Sequence, residues 1–287
     1  MRAAVLNNLG DDKLEVVDDV EVAPPGPGEV TINVKATGVC HSDLHAIEGS
    51  LPQPAPFVPG HEGAGVISAV GEGVTGLAVG DHVIVAWSPP CGKCVSCVER
   101  KEPHLCVMIQ FTIAAQSRFK RGDTDVFGMA GTGTFAEYLT VPQEAAIKID
   151  DDVPFEIASL IGCGVSTGVG AAINTAKVEP GSSVVVFGCG GVGISAIQGA
   201  RVAGAATIVA VDLVDDKLEQ AKHFGATHAC KPDDLAALQA ELTGDGFDYA
   251  FEAIGLPVTM RAAFDAVRRG GTAVIIGVGA ADKEVSF

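Results

Sequence analysis

The chain has 287 residues, of which 47% are apolar and 19% are charged. That length fits about two domains, and the composition is that of a globular protein able to bury a core without disulfide support. A formal net charge of −17 and an aromatic content of only 5% make nucleic acid and anionic membranes poor partners. The amino-terminal apolar run at residues 3–6 is too short for a secretory signal, so we expect a cytoplasmic protein with reduced cysteines.

The first part of the chain has the pattern of a β-rich, irregular domain. Apolar and polar residues alternate over residues 30–36, 64–70 and 82–86, as expected for half-buried strands. Clusters of proline and glycine separate these runs. Between Cys106 and Gly133 the sequence shows little periodicity, which predicts a long loop, and such loops in compact domains are usually functional.

From residue 183 onward, apolar runs alternate with helix-like segments. The predicted strands cover residues 183–187, 206–211, 227–230, 247–252 and 272–276, and the predicted helices cover residues 192–203, 215–224, 235–242 and 258–268. This α/β alternation predicts a doubly wound parallel sheet with right-handed crossovers. A dinucleotide-binding sheet usually has about six strands, and only five are predicted here, so we expect the chain to be truncated at its carboxyl end.

A glycine-rich motif follows the first of these strands and opens a helix. It reads Gly188-Cys189-Gly190-Gly191-Val192-Gly193, and Asp212 lies 19 residues further on, at the end of the next strand. In the dinucleotide-binding pattern the first glycine allows a tight turn, the second admits the pyrophosphate and the third lets helix and strand pack closely. The carboxylate of Asp212 would accept hydrogen bonds from the adenosine ribose and repel a 2′-phosphate, which favours NAD over NADP. The alternative is a glycine-rich turn in some other parallel-sheet protein.

Four closely spaced cysteines form a second signal, within a lobe at about residues 88–108. The pattern C-x2-C-x2-C-x8-C is formed by Cys91, Cys94, Cys97 and Cys106. Four thiolates can hold a tetrahedral Zn²⁺ without water, which is typical of a structural site. A disulfide pair or unrelated buried thiols are the alternatives. Two further cysteines, Cys189 and Cys230, are interpreted as small buried hydrophobic residues.

A third set of polar residues is dispersed along the first part of the chain. It comprises the segments Cys40-His41-Ser42-Asp43-Leu44-His45, Gly60-His61-Glu62 and Gly162-Cys163-Gly164. Two cysteines and one histidine suit a catalytic zinc with an open fourth position. Taken alone, His61 is more often an ordinary histidine and Cys163 a core residue, so this interpretation depends on the three segments coming together.

The sequence resembles the zinc-dependent medium-chain alcohol dehydrogenases. The resemblance is carried, in chain order, by Pro27-Gly-Glu-Val, Gly38-Val-Cys-His-Ser-Asp, Pro59-Gly-His-Glu-Gly-Ala-Gly, Val79-Gly-Asp-His-Val, the four-cysteine lobe, Gly162-Cys-Gly-Val-Ser-Thr-Gly and the glycine-rich motif. These segments cover essentially the whole chain. The resemblance implies a β-rich, GroES-like catalytic domain over residues 1–164 and a Rossmann NAD-binding domain, incomplete at its end, over residues 165–287.

The resemblance also implies two zinc ions per chain and NAD as the coenzyme. The catalytic zinc would be held by Cys40, His61 and Cys163, and the structural zinc by the four-cysteine lobe. Asp43 would hydrogen-bond His61 and fix its tautomer, while Glu62 would lie behind the metal and steady ligand exchange. The implied coenzyme contacts are His41, Thr167, Lys217 and Val278, together with Gly188, Gly190, Gly191, Val192, Gly193 and Asp212.

The implied reaction is the reversible, NAD-dependent oxidation of a primary or secondary alcohol to an aldehyde or ketone. Ser42 would take the proton of the alcohol and His45 would release it to solvent, because histidine exchanges protons near neutral pH. The partners would be a small alcohol or aldehyde and, in the full-length protein, further copies in a homodimer or homotetramer.

Three other functions remain open. Within enzymes the alternative is a thiol-adduct formaldehyde dehydrogenase of the glutathione or mycothiol type, followed by a polyol dehydrogenase, although polyol relatives often lack the four-cysteine lobe. A non-catalytic protein that binds zinc and NAD is the alternative of a different class, and the pair Ser42 and His45 argues against it.

Three features depart from the family pattern. Eight residues separate Cys97 from Cys106, one more than expected, so the loop would bulge and His104 becomes a possible stand-in ligand. His41 stands where several relatives carry arginine, and a neutral histidine would hold the pyrophosphate less strongly. The family's carboxyl-terminal return into the catalytic domain is absent, which leaves the oligomeric state and the substrate open.

Overall fold

The computed structural model describes residues 1–106, 116–280 and 283–287. The chain divides into two compact units, Met1–Cys163 and Gly164–Phe287. The strands of the first unit are β1 (Ala3–Val5), β2 (Glu15–Val17), β3 (Val20–Val22), β4 (Glu29–Thr37), β5 (Phe57–Val58), β6 (Gly63–Val70), β7 (His82–Val85), β8 (Ser117–Arg121), β9 (Thr124–Gly128), β10 (Tyr138–Pro142) and β11 (Ala146–Lys148). Its helices are α1 (His41–Ile47), α2 (Val95–Val98) and α3 (Phe155–Leu160), with 3₁₀ turns at Pro103–Leu105, Met129–Gly131 and Gln143–Ala145.

The first unit is built around an antiparallel sheet with the strand order β10–β4–β6–β7–β11. A second sheet has the order β3–β8–β9–β5, and β1 pairs with β2. Val30 and Ile32 of β4 are fully buried and belong to one core with Val58, Phe119 and Leu139. The three strands predicted from alternating residues are confirmed as β4, β6 and β7.

The prediction of a long loop from Cys106 to Gly133 is wrong where the structure describes it. Residues 107–115 lie outside the described residues, but β8 and β9 form an antiparallel hairpin in the remainder. A two-residue turn beginning at Gly122, whose φ is 58°, joins the strands. Phe119 and Val126 are the only buried residues of the hairpin with large apolar side chains, so the alternation of apolar and polar residues was too weak to indicate strands. The Gly-Asp dipeptide in the turn was the available hairpin signal.

A helical run from Phe155 to Thr175 links the two units and was not predicted. It consists of α3, a π turn at Ile161–Val165, α4 (Ser166–Gly170) and a second π turn at Ala171–Thr175. By length and composition this run could cross a membrane, with a mean hydropathy of 1.5. Because its first π turn carries Cys163, which lies close to Cys40 and His61, we interpret it as part of the globular fold.

The second unit confirms the predicted doubly wound α/β fold. Its strands are β12 (Ser183–Phe187), β13 (Thr207–Val211), β14 (His228–Cys230), β15 (Phe247–Glu252) and β16 (Val267–Ile275), and its further helices are α5 (Gly191–Val202), α6 (Asp215–His223), α7 (Leu235–Leu242) and α8 (Pro257–Ala266). All pairings are parallel, in the order β14–β13–β12–β15–β16. Val184 and Val186 face one hydrophobic core, and Val185 and Phe187 face another on the opposite side of the sheet. Burial on both faces explains the continuous apolar run of this strand.

The strand order changes direction at β12, because β13 and β14 lie on one side of it and β15 and β16 lie on the other. Ligands of such sheets bind outside the carboxyl ends of the strands at this switch point, and the glycine-rich motif begins directly after β12. The predicted helix at residues 258–268 extends too far. Val267 already pairs with Phe247 as the first residue of β16.

Candidate functional site

The buried carboxylate of Asp43 connects two segments that carry predicted zinc ligands. Asp43 lies in the first turn of α1, whose N-cap is Cys40, and only 2% of Asp43 is exposed. Its Oδ2 accepts a hydrogen bond from the backbone N–H of Cys40 at 2.8 Å, and its Oδ1 accepts one from Gly60 N–H at 3.0 Å. The same Oδ1 lies 3.2 Å from Nδ1 of His61. One carboxylate therefore fixes the backbone of both segments and the ring of His61.

The contact with Asp43 leaves Nε2 of His61 as the atom that can bind a metal. An ionised carboxylate only accepts hydrogen bonds, so Nδ1 must carry a proton and the lone pair of the neutral ring lies on Nε2. Burial lowers the pKa of His61, but hydrogen bonds to Asp43 and Cys40 outweigh burial and raise the pKa to about 9. A metal ion that binds Nε2 has to displace the second proton of this ring.

A π turn brings Cys163 to the same position. A Cβ atom on the preceding Gly162 would lie 2.7 Å from the carbonyl oxygen of Val85, so the chain passes β7 at a distance that only glycine permits. The ligand atoms of Cys40, His61, Glu62 and Cys163 all lie within 4.8 Å of one another. The three dispersed segments of the sequence therefore converge, and π turns of this kind are frequent at functional sites.

Glu62 and Gly38 complete this cluster. Glu62 is 4% exposed, and a Cβ atom on Gly38 would lie 2.1 Å from Oε2 of Glu62, so the carboxylate occupies the space that a side chain at position 38 would need. A hydrogen bond from Cys163 lowers the pKa of Cys40 to about 3, although burial opposes this shift. Two sulfurs, of which one is readily ionised, and one imidazole nitrogen form a donor set that fits Zn²⁺ with an open fourth position.

The four-cysteine group has the dimensions of a tetrahedral zinc site. Sγ of Cys94 lies 3.5 Å from Sγ of Cys97 and 3.8 Å from Sγ of Cys106, and the four sulfurs, with that of Cys91, lie within 4.8 Å of one another. Zn–S bonds of about 2.3 Å give tetrahedral edges of about 3.8 Å, so the group fits the metal. Cys106 supplies the fourth sulfur, and among the described residues His104 is outside this group. His104 lies in the 3₁₀ turn at Pro103–Leu105, and its possible role as a stand-in ligand stays a prediction.

The glycine-rich motif fits a dinucleotide. A Cβ atom on Gly193 would lie 1.8 Å from the carbonyl oxygen of Gly188, so α5 packs against β12 only because this position is glycine. In contrast, Cβ atoms on Gly190 and Gly191 would meet nothing within 4 Å. That open space lies at the amino terminus of α5, where free backbone N–H groups and the helix dipole attract phosphate.

Asp212 is attached to this motif by its side chain. Oδ2 accepts a hydrogen bond from Cys189 N–H at 2.8 Å, and Oδ1 accepts one from Val214 N–H at 3.0 Å, so the carboxylate links the glycine-rich loop to the start of α6. Cys189 is 2% exposed, and burial raises the pKa of its thiol to about 12. A thiol that stays protonated in this place acts as a small apolar residue.

The other predicted coenzyme residues lie on several elements. Thr167 is on α4, which packs closely on α5, since a Cβ atom on Gly168 would lie 2.3 Å from the carbonyl oxygen of Val192. The backbone of Val278 approaches Gly255, where an added Cβ would lie 2.4 Å from the carbonyl oxygen of Val278. Lys217 is exposed on α6, and in the first unit the exposed His41 begins α1.

Ser42 and His45 occupy different turns of α1. Oγ of Ser42 lies 3.6 Å from Sγ of Cys40, so its hydroxyl group lies beside the predicted metal. His45 is in the last turn, and its ring lies 5.4 Å from the ring of His41. Nδ1 of His45 lies 3.1 Å from Oγ of Ser50, a residue that was not predicted from the sequence.

Two further residues near these sites were missed from the sequence. The ring of Trp87, the only tryptophan, lies edge-on to the ring of His61 with a centroid distance of 6.3 Å. Glu252, at the carboxyl end of β15, is 0% exposed, and its Oε1 accepts hydrogen bonds from Ile254 N, Gly255 N and Thr259 Oγ1. Its Oε2 lacks a hydrogen-bond partner within the described part of the chain. The available signal for Trp87 was its place as the only tryptophan, directly before the cysteine lobe. The available signal for Glu252 was an acidic residue at the end of an apolar strand.

A chain with a Cys₂His group, a separate Cys₄ group and a dinucleotide-type parallel sheet has the site architecture of a zinc-dependent dehydrogenase. Residues 26–151 match the family model of the alcohol dehydrogenase GroES-like domain, and residues 191–287 match that of the zinc-binding dehydrogenases. The chain belongs to the zinc-dependent alcohol dehydrogenase family, whose members bind zinc and NAD(P).

Individual relatives agree with this assignment. The chain is 45% identical over 285 residues to alcohol dehydrogenase class-3 of Drosophila melanogaster, covering 94% of this chain and 75% of the relative. It is 37% identical to the alcohol dehydrogenase zinc-binding domain protein from Burkholderia ambifaria, with a TM-score of 0.93, and 36% identical to benzyl alcohol dehydrogenase from Acinetobacter calcoaceticus, with a TM-score of 0.89. Both solved structures match 100% of this chain, which covers 79% of each of them.

Proposed function

We propose that the protein catalyses the reversible NAD-dependent oxidation of an alcohol to an aldehyde or ketone at the Cys40–His61–Cys163 group. The observation that carries this proposal is the convergence of these three side chains, with Nδ1 of His61 held by Asp43. A purely structural zinc would be enclosed by four thiolates such as those of the separate Cys₄ group, whereas two sulfurs and one nitrogen leave the fourth position to an exchangeable ligand, either the carboxylate of Glu62 or the substrate.

The chain's own residues have distinct parts in this reaction. When bound, zinc supplies a Lewis acid that favours loss of the alcohol proton, and NAD supplies the hydride acceptor. Asp43 holds Nε2 of His61 ready as a ligand atom, and Glu62 steadies the exchange of ligands. Ser42, whose Oγ lies 3.6 Å from Sγ of Cys40, accepts the proton of the alcohol and gives up its own hydroxyl proton. His45, on the last turn of the same helix, takes up the proton that Ser42 gives up and passes it to solvent.

NAD is the proposed coenzyme, bound by the glycine-rich motif, Thr167, Val192, Lys217 and Val278. The support for NAD over NADP is Asp212. Its carboxylate is fixed by hydrogen bonds from Cys189 and Val214, so it cannot turn away from a 2′-phosphate without opening the loop.

The proposed substrate is an alcohol with an apolar substituent. Trp87 lies edge-on to His61 and is 37% exposed, so part of its ring is available beside the metal group. An aromatic surface at this distance favours an apolar or aromatic group over a polyol. A thiol adduct of formaldehyde carries polar groups that such a surface does not recognise, which makes the thiol-dependent reaction the second candidate.

The two groups of cysteine ligands require reduced thiols, which supports a reducing compartment such as the cytoplasm. A homodimer or homotetramer is the proposed assembly, as the resemblance to the zinc-dependent alcohol dehydrogenases implies for the full-length protein.

The test is a panel of primary, secondary and aromatic alcohols assayed on the zinc-loaded protein by formation of the reduced coenzyme. NAD and NADP are compared, and formaldehyde is tested with and without glutathione or mycothiol. We expect turnover of apolar alcohols with NAD alone. Turnover of formaldehyde only in the presence of a thiol would replace the proposed substrate class, and binding of NAD without turnover of any alcohol would make the protein non-catalytic.

A further inference from the structure

The side chain of Ser50 makes two contacts with the same residue, His45. Oγ of Ser50 lies 3.1 Å from the backbone carbonyl oxygen of His45, to which it donates a hydrogen bond, and 3.1 Å from Nδ1 of the His45 ring. The carbonyl oxygen also accepts a hydrogen bond from Leu51 N–H at 3.0 Å. The segment after α1 thus folds back onto the last turn of the helix and closes over one edge of the imidazole.

A hydroxyl group has one hydrogen, so Ser50 donates to only one of these two neighbours at a time. When the hydrogen of Ser50 is donated to the carbonyl oxygen, Oγ has only lone pairs left for Nδ1. The second contact is then a hydrogen bond only if Nδ1 carries a hydrogen and donates it. In a neutral ring the hydrogen on Nδ1 leaves Nε2 as the basic atom.

We propose that Ser50 is a positioning residue that holds His45 as the Nδ1–H tautomer, so that Nε2 is the atom that accepts the proton released by the alcohol. This inference rests on the proposed function, since it concerns the proton path of that reaction. It adds to that function because it names the accepting atom and the residue that selects it. The titratable ring of His41 also faces that of His45, at 5.4 Å.

The direct test is nitrogen NMR of the full chain, loaded with zinc and labelled with ¹⁵N in histidine. His45 is assigned by the signal that disappears in His45→Gln, and spectra are recorded at a pH where the ring is neutral. We expect Nδ1 of His45 to be protonated in the wild type, a mixture of tautomers in Ser50→Ala, and a return to the Nδ1–H form in Ser50→Thr, which restores the hydroxyl. An Nε2–H form in the wild type, or a spectrum unchanged by Ser50→Ala, overturns the proposal.

Activity provides the second readout. We expect Ser50→Ala to lower kcat near neutral pH by at most about tenfold, less than loss of the histidine itself, with KM for the alcohol little changed and with recovery in Ser50→Thr. Ser68→Ala is the matched control, because Ser68 also donates to a backbone carbonyl but bonds no histidine, and its rate should equal the wild type. A kcat of Ser50→Ala equal to that of Ser68→Ala also overturns the proposal.

The two proposals fail in different ways. If His45→Gln loses no rate at any pH, the proton path of the proposed function is wrong, whatever the tautomer of His45. If His45→Gln is slow but Ser50→Ala keeps both the rate and the nitrogen spectrum of the wild type, only the assignment of Ser50 fails.

Discussion

Asp43 is the residue whose replacement tests the geometry of the proposed catalytic zinc group most sharply. Asparagine has nearly the same shape, but it retains only one acceptor oxygen. If that oxygen keeps its bonds to Gly60 and His61, the amide NH₂ group faces the N–H of Cys40, where the carboxylate accepts a bond at 2.8 Å. A charge-assisted hydrogen bond is then replaced by two donors that face each other.

The expected losses follow from the burial of this carboxylate. Hydrogen bonds to charged groups contribute about 1.5–3 kcal/mol each, and little solvent reaches Asp43 to replace one, so Asp43→Asn should lower the free energy of unfolding of the zinc-free protein by about 2–3 kcal/mol. The ring of His61 also loses its charged partner. Loss of such a partner typically weakens metal binding or activity about 10–100-fold.

Urea unfolding of the zinc-free protein, followed by the fluorescence of Trp87, measures the first effect, and competition with a zinc chelator measures the second. Asp81→Asn is the matched control. Its Oδ2 likewise accepts a hydrogen bond across a short turn, from Ala78 N–H at 2.9 Å, and its Oδ1 pairs with Lys148, but it bonds none of the predicted zinc ligands. Release of zinc from Asp43→Asn at the rate of Asp81→Asn would show that Asp43 does not hold the metal group.

Three further predictions follow from the same contacts. Cys94→Ser should lower stability more than it lowers the rate per folded molecule, because the Cys₄ group lacks an open position for substrate; thermal unfolding beside kcat tests this. Asp212→Gly should weaken NAD binding and relax the discrimination against NADP, as measured by titration of both coenzymes, and it should also loosen the loop at Cys189, whose N–H loses its acceptor. Equal use of NADP by the wild type would contradict this role of Asp212. His45→Gln should slow alcohol oxidation near neutral pH by up to about 10²-fold without loss of zinc, and high pH or added imidazole should restore part of the rate; a loss of zinc instead would make His45 a structural residue.

The sequence predicts the second unit better than the first. Strands such as β12 are buried on both faces, so they are visible in the sequence as continuous apolar runs. The glycines after β12 predict the turn and the helix that follow. In the first unit most strands have five residues or fewer, which is too short for a clear apolar pattern. The hairpin of β8 and β9 has two well-buried apolar residues, Phe119 and Val126, which is too few to reveal a period.

For the candidate site, the sequence predicts which residues take part but not which hydrogen bonds they make with one another. The ligand set Cys40, His61 and Cys163 came from the pattern of a family, and the structure brings these residues together. The bonds from Asp43 to the N–H groups of Cys40 and Gly60 depend on how two distant segments approach, which local sequence does not encode. The contact of Ser50 with His45 was missed because serine after a helix is too common to indicate a role.

The proposed reaction requires that Cys40, His61 and Cys163 hold a zinc ion separate from that of the Cys₄ group. The most direct measurement is the zinc content per chain of the wild type and of Cys163→Ser, determined by elemental analysis on folded protein. We expect two zinc ions in the wild type and one in Cys163→Ser, which should also lose alcohol oxidation. A single zinc in the wild type, or two in a fully active Cys163→Ser, would contradict the claim.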